Sequence, residues 1–325
     1  MARVRGSKSL AAIIAQRIGQ AIIAVVAVLT IGFVLLNLAP GDPVVYIMGD
    51  AGNPELAARI RERLGLDASL VVRYTTYVES VLSGQLGRSY VYGRPVFDMI
   101  LSRLPATLLL FTSQFLVSSI AGITLGVLAA YRKGSWLDRT VMAVSISGYS
   151  VPVFWSGQLL ILFLGLYLGW FPTFGMRSLQ TDVDPILDVV WHLALPTLAL
   201  ALLFTALIAR LTRATMVEAL QEDYITTARA KGVSEFAVVR HAARNALLPV
   251  VTILALNVGQ AMSGAVLTET VFSWPGLGRL MFDGISSRDY PLVLGLFWFI
   301  SLIVIAANLF ADVAYALLDP RVRYR

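Results

Sequence analysis

Long apolar runs constrain this chain more than any other feature of its sequence. A helix needs about 20 apolar residues to cross the hydrocarbon core of a bilayer. The first run starts near Arg17 and ends at Ala39-Pro40-Gly41-Asp42-Pro43, because proline and glycine there cannot continue a helix. Six runs meet the length, with approximate bounds 17–38, 104–131, 137–168, 189–208, 247–271 and 292–317. The sequence therefore predicts an all-α integral membrane protein with six transmembrane helices.

The composition supports lipid as the main solvent of this chain. Of its residues, 57% are hydrophobic and 14% are charged, whereas soluble domains carry about 25% charged residues. The sequence has no cysteine and only two histidines, which excludes disulfides and thiolate metal sites and leaves too few ligands for a histidine cluster. We expect neither a metal nor a cofactor on this chain. The net charge of +6 could suit nucleic acid, but the basic residues lie in short segments between the apolar runs, as membrane topology requires.

The distribution of arginine and lysine predicts the orientation. With the N-terminus inside, the cytoplasmic segments are strongly basic, and the short outer loops hold only Arg177, Arg279 and Arg288. The long loop after the first run has seven arginines and seven acids, and it is long enough to translocate regardless of charge. We therefore predict a multi-pass protein with both termini in the cytoplasm.

The polar stretch that follows the first run is too charged to span a bilayer. Its segment Pro54–Leu64 has an apolar face and predicts an amphipathic helix, which could lie on the membrane or dock a binding protein. We divide the chain into residues 1–103, a transmembrane helix with an extracytoplasmic region, and residues 104–320, a domain that holds the other five spans. Within the second part, residues 213–247 form a cytoplasmic loop.

One short helix is predicted inside that cytoplasmic loop. Acidic residues open the segment 222–232, basic residues close it, and Gly232 follows as the expected stop. Tyr224, Ala228 and Gly232 are spaced by four, which predicts a nearly bare face that can seat in a groove of another protein. The residues assigned to this docking function are Asp223, Tyr224, Thr227, Ala228, Arg229, Ala230, Lys231 and Gly232.

The same loop resembles the coupling loop of ABC importer permeases, in which a short helix docks into the nucleotide-binding subunit. The match is Asp-Tyr-Ile-x-Thr-Ala-Arg-Ala-Lys-Gly followed by His-Ala-x-Arg-Asn-Ala-Leu-Leu-Pro-Val, similar to the first of two paired subunits in the dipeptide, oligopeptide and nickel permease family. Two departures are Thr226-Thr227-Ala228 in place of Glu-Ala-Ala, and Gln85 in place of an expected aspartate. Further segments that resemble the family are 39–43, 148–155, 267–279, 288–291 and 319–321.

The resemblance implies the fold, the partners and the function. The fold would be that of a type I ABC importer permease in a bacterial cytoplasmic membrane, with residues 104–320 as the permease domain. Its partners would be a second homologous permease, two ATPase subunits and an extracytoplasmic substrate-binding protein. The sequence contains no Gly-x-x-x-x-Gly-Lys-Ser/Thr, so this chain is not itself an enzyme, and ATP and magnesium would bind in the partner subunits.

The resemblance also implies import of small peptides, and other substrates and classes remain as alternatives. The same architecture could carry nickel or glutathione. An ion-coupled secondary transporter belongs to a different class, and it would be expected to carry ionisable groups within its spans.

A few polar groups and one proline lie within the predicted spans. Polar side chains are costly in lipid and usually face the interior of a helix bundle, so these residues are candidates for a translocation pathway. Each could instead make a hydrogen bond between helices, and the proline that interrupts the third run could be a packing kink. The candidates are Gln114, Tyr149, Pro152, Asn257, Gln260, Ser263 and Glu269.

Overall fold

The computed structural model of the protein describes residues 10–38, 44, 54–63, 67–178 and 184–318. These residues form helices and connecting turns, and the described ranges contain no β-sheet, only an isolated bridge between Arg88 and Pro95. The helices are α1 (Leu10–Leu38), α2 (Pro54–Arg63), α3 (Leu70–Leu82), α4 (Val96–Tyr131), α5 (Trp136–Ser150), α6 (Val153–Leu160) with a π-helical continuation (Ile161–Tyr167), α7 (Pro185–Ala219), α8 (Asp223–Ala230), α9 (Glu235–Val271), α10 (Leu277–Ser286) and α11 (Tyr290–Leu318).

The membrane class is confirmed by the length and composition of the helices. Segments of α1, α4, α7 and α11 are each long and apolar enough to cross a bilayer, and α5 with α6 and its continuation meets the same test as a pair. The fifth predicted span lies in α9, where most side chains between 252 and 265 fall outside the described set. The count of six spans therefore stays a prediction.

The third predicted span consists of two helical segments, and the second is bent away from the direction of the first by 107°. Val151 has an extended backbone and Pro152 caps α6, because the residue before a proline is pushed out of the helical region. The interruption that residues 148–152 predict within the run 137–168 is confirmed.

The second span begins earlier than the hydropathy predicts. Its helix α4 starts at Val96, eight residues before the expected 104, and the predicted domain boundary at 103 falls inside it. The early turns carry charged residues, yet Val96, Met99 and Ile100 are buried against α10 and α11. Tertiary packing therefore sustains a helix that a hydropathy window ends too soon.

The centre of the bundle is the contact between α4 and α7. Gly122 and Gly126 lie four residues apart on α4, where a Cβ on Gly126 would come within 2.6 Å of Thr212 and within 2.7 Å of the Ala209 carbonyl. Small residues at this spacing let two membrane helices approach closely. Around this pair α5 and α9 pack on α7, and α1 packs on α11 at the periphery.

The predicted amphipathic helix of the outer region is confirmed as α2 (Pro54–Arg63). Leu56 on its apolar face is half exposed, while the side chain of Ile60 and all of Leu64 lie outside the described residues. The segments 39–43 and 319–321 also lie outside them.

Candidate functional site

The short helix α8 has the ends that its sequence predicts. Gly232 follows it at φ +76°, a left-handed conformation that glycine adopts without steric cost. The Gly232 N–H donates to the Arg229 carbonyl at 2.9 Å, and the Val233 N–H donates to the Ala228 carbonyl at 3.2 Å. This pair of bonds is a Schellman motif, so the prediction that Gly232 stops the helix is confirmed.

Three contacts fasten α8 to the helices on either side of it. The side chain of Ile225 is fully buried in a cluster with Met216 of α7 and Val238 of α9. Asn245 Nδ2 donates to the Tyr224 hydroxyl at 3.1 Å. Arg229 Nε lies 3.1 Å from Glu235 Oε1 across the turn. Apolar, polar and ionic contacts together therefore hold α8 against the ends of α7 and α9.

The outward face of α8 differs from the face predicted from spacing. Ala228 is half buried and packs against the cluster around Ile225, so the predicted bare face of Tyr224, Ala228 and Gly232 is wrong in this part. Residues 225 and 228 are one turn apart and point inward together. The small side chain of Ala228 therefore permits close approach within the chain itself. The exposed residues of the segment are Asp223, Tyr224, Thr226, Thr227, Arg229, Ala230, Lys231 and Gly232.

An exposed aromatic side chain beside α8 escaped the sequence analysis. Phe236, the second residue of α9, is 79% exposed. It follows Glu235, which pairs with Arg229 of α8, so it lies next to the predicted docking surface. Solvent-exposed aromatic residues are favoured anchors in protein interfaces. The only signal in the sequence was a single phenylalanine in a polar segment.

A buried ion pair ties the helix before α8 to α5. Asp138 is almost fully buried in the first turn of α5, and Arg213 Nη2 donates to its Oδ2 at 2.7 Å. The Gly134 N–H donates to the same carboxylate at 2.9 Å. Removing one partner of such a pair would leave a buried charge uncompensated. The last turns of α7, which lead into α8, are therefore fixed to α5 as well.

The pathway candidates outside α9 fall in two different environments. Gln114 of α4 is buried, and its Nε2 donates to Ser118 Oγ at 3.1 Å one turn along the same helix. Tyr149 is half exposed, with the Arg210 guanidinium 5.5 Å from its ring centroid. Pro152 is exposed at the bend between α5 and α6. Tyr149 and Pro152 are thus both exposed, while Gln114 lies inside the bundle.

Three candidates lie in the central part of α9. They are Asn257, Gln260 and Ser263, whose side chains fall outside the described residues. Their assignment to a pathway stays a prediction.

Glu269, at the other end of α9, has a structural role that the sequence analysis missed. Its fully buried carboxylate accepts hydrogen bonds from Thr107 Oγ1 at 2.7 Å, from the Gly278 N–H at 2.7 Å and from the Arg279 N–H at 3.1 Å. The last two are free N–H groups at the start of α10, which a carboxylate caps favourably. A Cβ on Gly276 would collide with this carboxylate. Glu269 therefore joins α9, α4 and α10, and its predicted place in a pathway is untested.

A second buried carboxylate fixes the far end of α10. Asp289 accepts hydrogen bonds from Ser89 Oγ, from the Tyr90 N–H at 3.1 Å and from the Val91 N–H at 3.3 Å. Burial raises the pKa of the Tyr90 phenol, and the neighbouring Asp289 carboxylate raises it further. The loop before α4 is thus tied to the turn between α10 and α11.

The side chains that the structure describes include no group of three His, Asp or Glu residues placed to hold a metal ion. Of the acidic residues described above, Glu269 caps a helix and Asp138 pairs with Arg213.

Comparisons with known proteins match almost the whole chain to membrane components of transport systems. Residues 122–324 match the family described as binding-protein-dependent transport system inner membrane component, and residues 10–111 match the corresponding N-terminal family. The di/tripeptide transport system permease protein DppB of Pseudomonas aeruginosa is 42% identical, covering 96% of this chain and 98% of that protein. A probable peptide ABC transporter permease of Sinorhizobium fredii is 43% identical (90% and 93%), and the dipeptide transport system permease protein DppB of Escherichia coli K12 is 37% identical (96% and 98%).

Proposed function

The chain belongs to the family of binding-protein-dependent transport system inner membrane components, and on that basis we propose that it is the permease subunit of an ATP-driven importer of small peptides. The observation that carries this proposal is the near full-length similarity to permeases named for dipeptide, di/tripeptide or peptide transport. Such a permease forms the membrane path, while a separate subunit hydrolyses ATP. Nickel, glutathione and ion-coupled transport are less favoured, because the names of these relatives refer to peptides.

The assembly that follows has the same members that the sequence predicts. This chain would pair with a second homologous permease in the bacterial inner membrane, with both termini in the cytoplasm. Two ATPase subunits would bind on the cytoplasmic side and a substrate-binding protein on the outer side. The ATPase subunits would hold the ATP and magnesium.

The geometry of α8 supports a mechanism for coupling. Its exposed face, which includes Thr227, Ala230 and Lys231, is available to an ATPase subunit, while Ile225 anchors the opposite face inside the chain. Closure of the ATPase subunits around ATP would displace α8 and, with it, the ends of α7 and α9. The membrane path would then change between inward and outward access, as in a two-state transition biased by a ligand.

Uptake of a labelled tripeptide tests the proposed function directly. The chain would be reconstituted in proteoliposomes with its partner permease, ATPase subunits and binding protein. We expect accumulation that requires ATP. Accumulation of nickel instead of peptide would keep the architecture and reject the substrate, whereas uptake driven by an ion gradient without ATP would reject the importer class.

Replacement of Phe236 with alanine is expected to weaken binding of the ATPase subunit about tenfold, since an aromatic anchor at an interface contributes more than 1 kcal/mol. Affinity would be measured by titrating the purified ATPase subunit onto the permease pair in nanodiscs. Phe310→Ala is the matched control, because Phe310 is 77% exposed but lies in a membrane-spanning segment. Equal losses in both variants, or none in Phe236→Ala, would contradict the assignment of this surface.

A further inference from the structure

A cavity on the outer side of the chain has no role in the proposed import cycle. It has a volume of about 350 Å³ and lies between α1, α3, the loop before α4 and the first turns of α11. This size is at the lower end of the range of small-molecule sites. The bundle centre at α4 and α7 contributes no residue to its walls, so the cavity is separate from the axis of that bundle.

The walls of the cavity include both polar and apolar side chains. Arg73, Thr76, Ser80 and Gln85 contribute charged, hydroxyl and amide groups, while Phe33, Leu86, Leu294 and Trp298 contribute aromatic and aliphatic surface. Across the part of the chain that the structure describes, the half-exposed Arg73 guanidinium has no carboxylate within ion-pair distance and no hydrogen-bond partner. A ligand that uses both kinds of side chain would carry an anionic group and an apolar portion.

The position of the cavity along the helices suggests where such a ligand comes from. Phe33 lies five residues before the end of α1, and Leu294 and Trp298 lie in the first turns of α11. Both helices have spanning segments that are mostly exposed on their outside, and α1 presents Ile23 at 70% and Val26 at 51% exposure. The cavity therefore lies where the apolar layer of the bilayer meets its polar surface, with an open apolar helix face beside it.

We propose that this cavity binds the head group of a phospholipid from the outer leaflet, with the phosphate on Arg73 and the acyl chains along α1 and α11. An arginine guanidinium matches a phosphate in charge and in hydrogen-bonding geometry. The cavity is too small for a whole lipid, so the chains must continue over the exposed face of α1. The bound lipid would fill the space between α1, α3 and α11. Its binding would not depend on which substrate the importer carries.

Native mass spectrometry of the assembled complex tests this proposal. The complex would be stripped of lipid and then titrated with phosphatidylglycerol, phosphatidylethanolamine or free inorganic phosphate. We expect both phospholipids to bind to the wild-type complex and Arg73→Gln to weaken that binding about tenfold through loss of a charge-assisted contact. Thr76→Trp, which fills the cavity and keeps Arg73, is expected to displace the lipid as well.

The matched control is Arg59→Gln, because Arg59 is an exposed arginine of α2 outside the cavity. It should bind lipid like the wild type, and melting temperatures should be the same for all variants, which separates lost binding from lost folding. Undiminished lipid binding by both Arg73→Gln and Thr76→Trp would overturn the proposal. Binding of free phosphate with no preference for lipid, or displacement of the lipid by a tripeptide, would equally overturn it.

Discussion

Replacement of Glu269 with alanine is expected to lower the free energy of unfolding by about 4 kcal/mol, because the change strands several buried donors and removes a helix cap. The carboxylate receives the Thr107 hydroxyl and the N–H groups of Gly278 and Arg279. Without it, the Gly278 and Arg279 N–H groups in the first turn of α10 lose their side-chain acceptor. Thermal and denaturant unfolding of the chain in nanodiscs would measure the loss.

Two neighbouring threonines provide the control for this prediction. Thr107→Val removes a hydroxyl that both donates to Glu269 and accepts from the Leu277 N–H at 2.8 Å, so we expect a loss of about 2 kcal/mol. Thr268 is equally buried, but its hydroxyl has no hydrogen-bond partner in the described structure. Thr268→Val should therefore be nearly neutral. A Glu269→Ala protein that melts with the wild type would refute the capping role.

Replacement of Ala230 with tryptophan is expected to reduce ATP-dependent peptide uptake to background while the permease remains folded. Ala230 is exposed at the end of α8, so a bulky side chain there would separate the docking surface from the ATPase subunit without disturbing the interior. Uptake and peptide-stimulated ATP hydrolysis would be measured in the same proteoliposomes, and both should fall.

The distinction between the two faces of α8 makes this prediction sharp. Ala230→Ser keeps a small side chain and should transport normally. Ala228→Trp enters the cluster around Ile225 and should lower the melting temperature, unlike Ala230→Trp. Gly232→Trp is a poorer test, because its φ of +76° would strain any larger residue whatever the partner does. Normal uptake by Ala230→Trp would place the docking surface elsewhere.

The parts of the structure that sequence could predict are those with local causes. Apolar run length identifies the membrane class, and the charges and glycine at the ends of α8 predict that helix. The break at Pro152 also has a local steric cause.

Other features depend on residues far apart in the chain. Glu269 and Thr107 are 162 positions apart, and Asp289 and Ser89 are 200 apart, so no window of sequence connects them. Residue spacing within α8 likewise contains no information about the neighbouring helices, which is why it predicted that Ala228 faces a partner protein. Whether a small residue faces a partner or the chain itself is decided by neighbours such as Met216, which belong to another helix.

Because α9 is one continuous helix, it connects α8 mechanically to α10. The helix has 37 residues, and Glu235 and Asn245 contact α8 in its N-terminal third, while Glu269 holds α10 near its C-terminal end. At 1.5 Å per residue it is about 55 Å long, so a tilt of about 10° around its midpoint swings each end by about 5 Å. Pro249 removes one backbone hydrogen bond from α9. The helical turn around Pro249 is therefore the part of α9 that bends most easily. A displacement of α8 by a partner subunit would therefore also move α10 through α9, with bending concentrated at that proline.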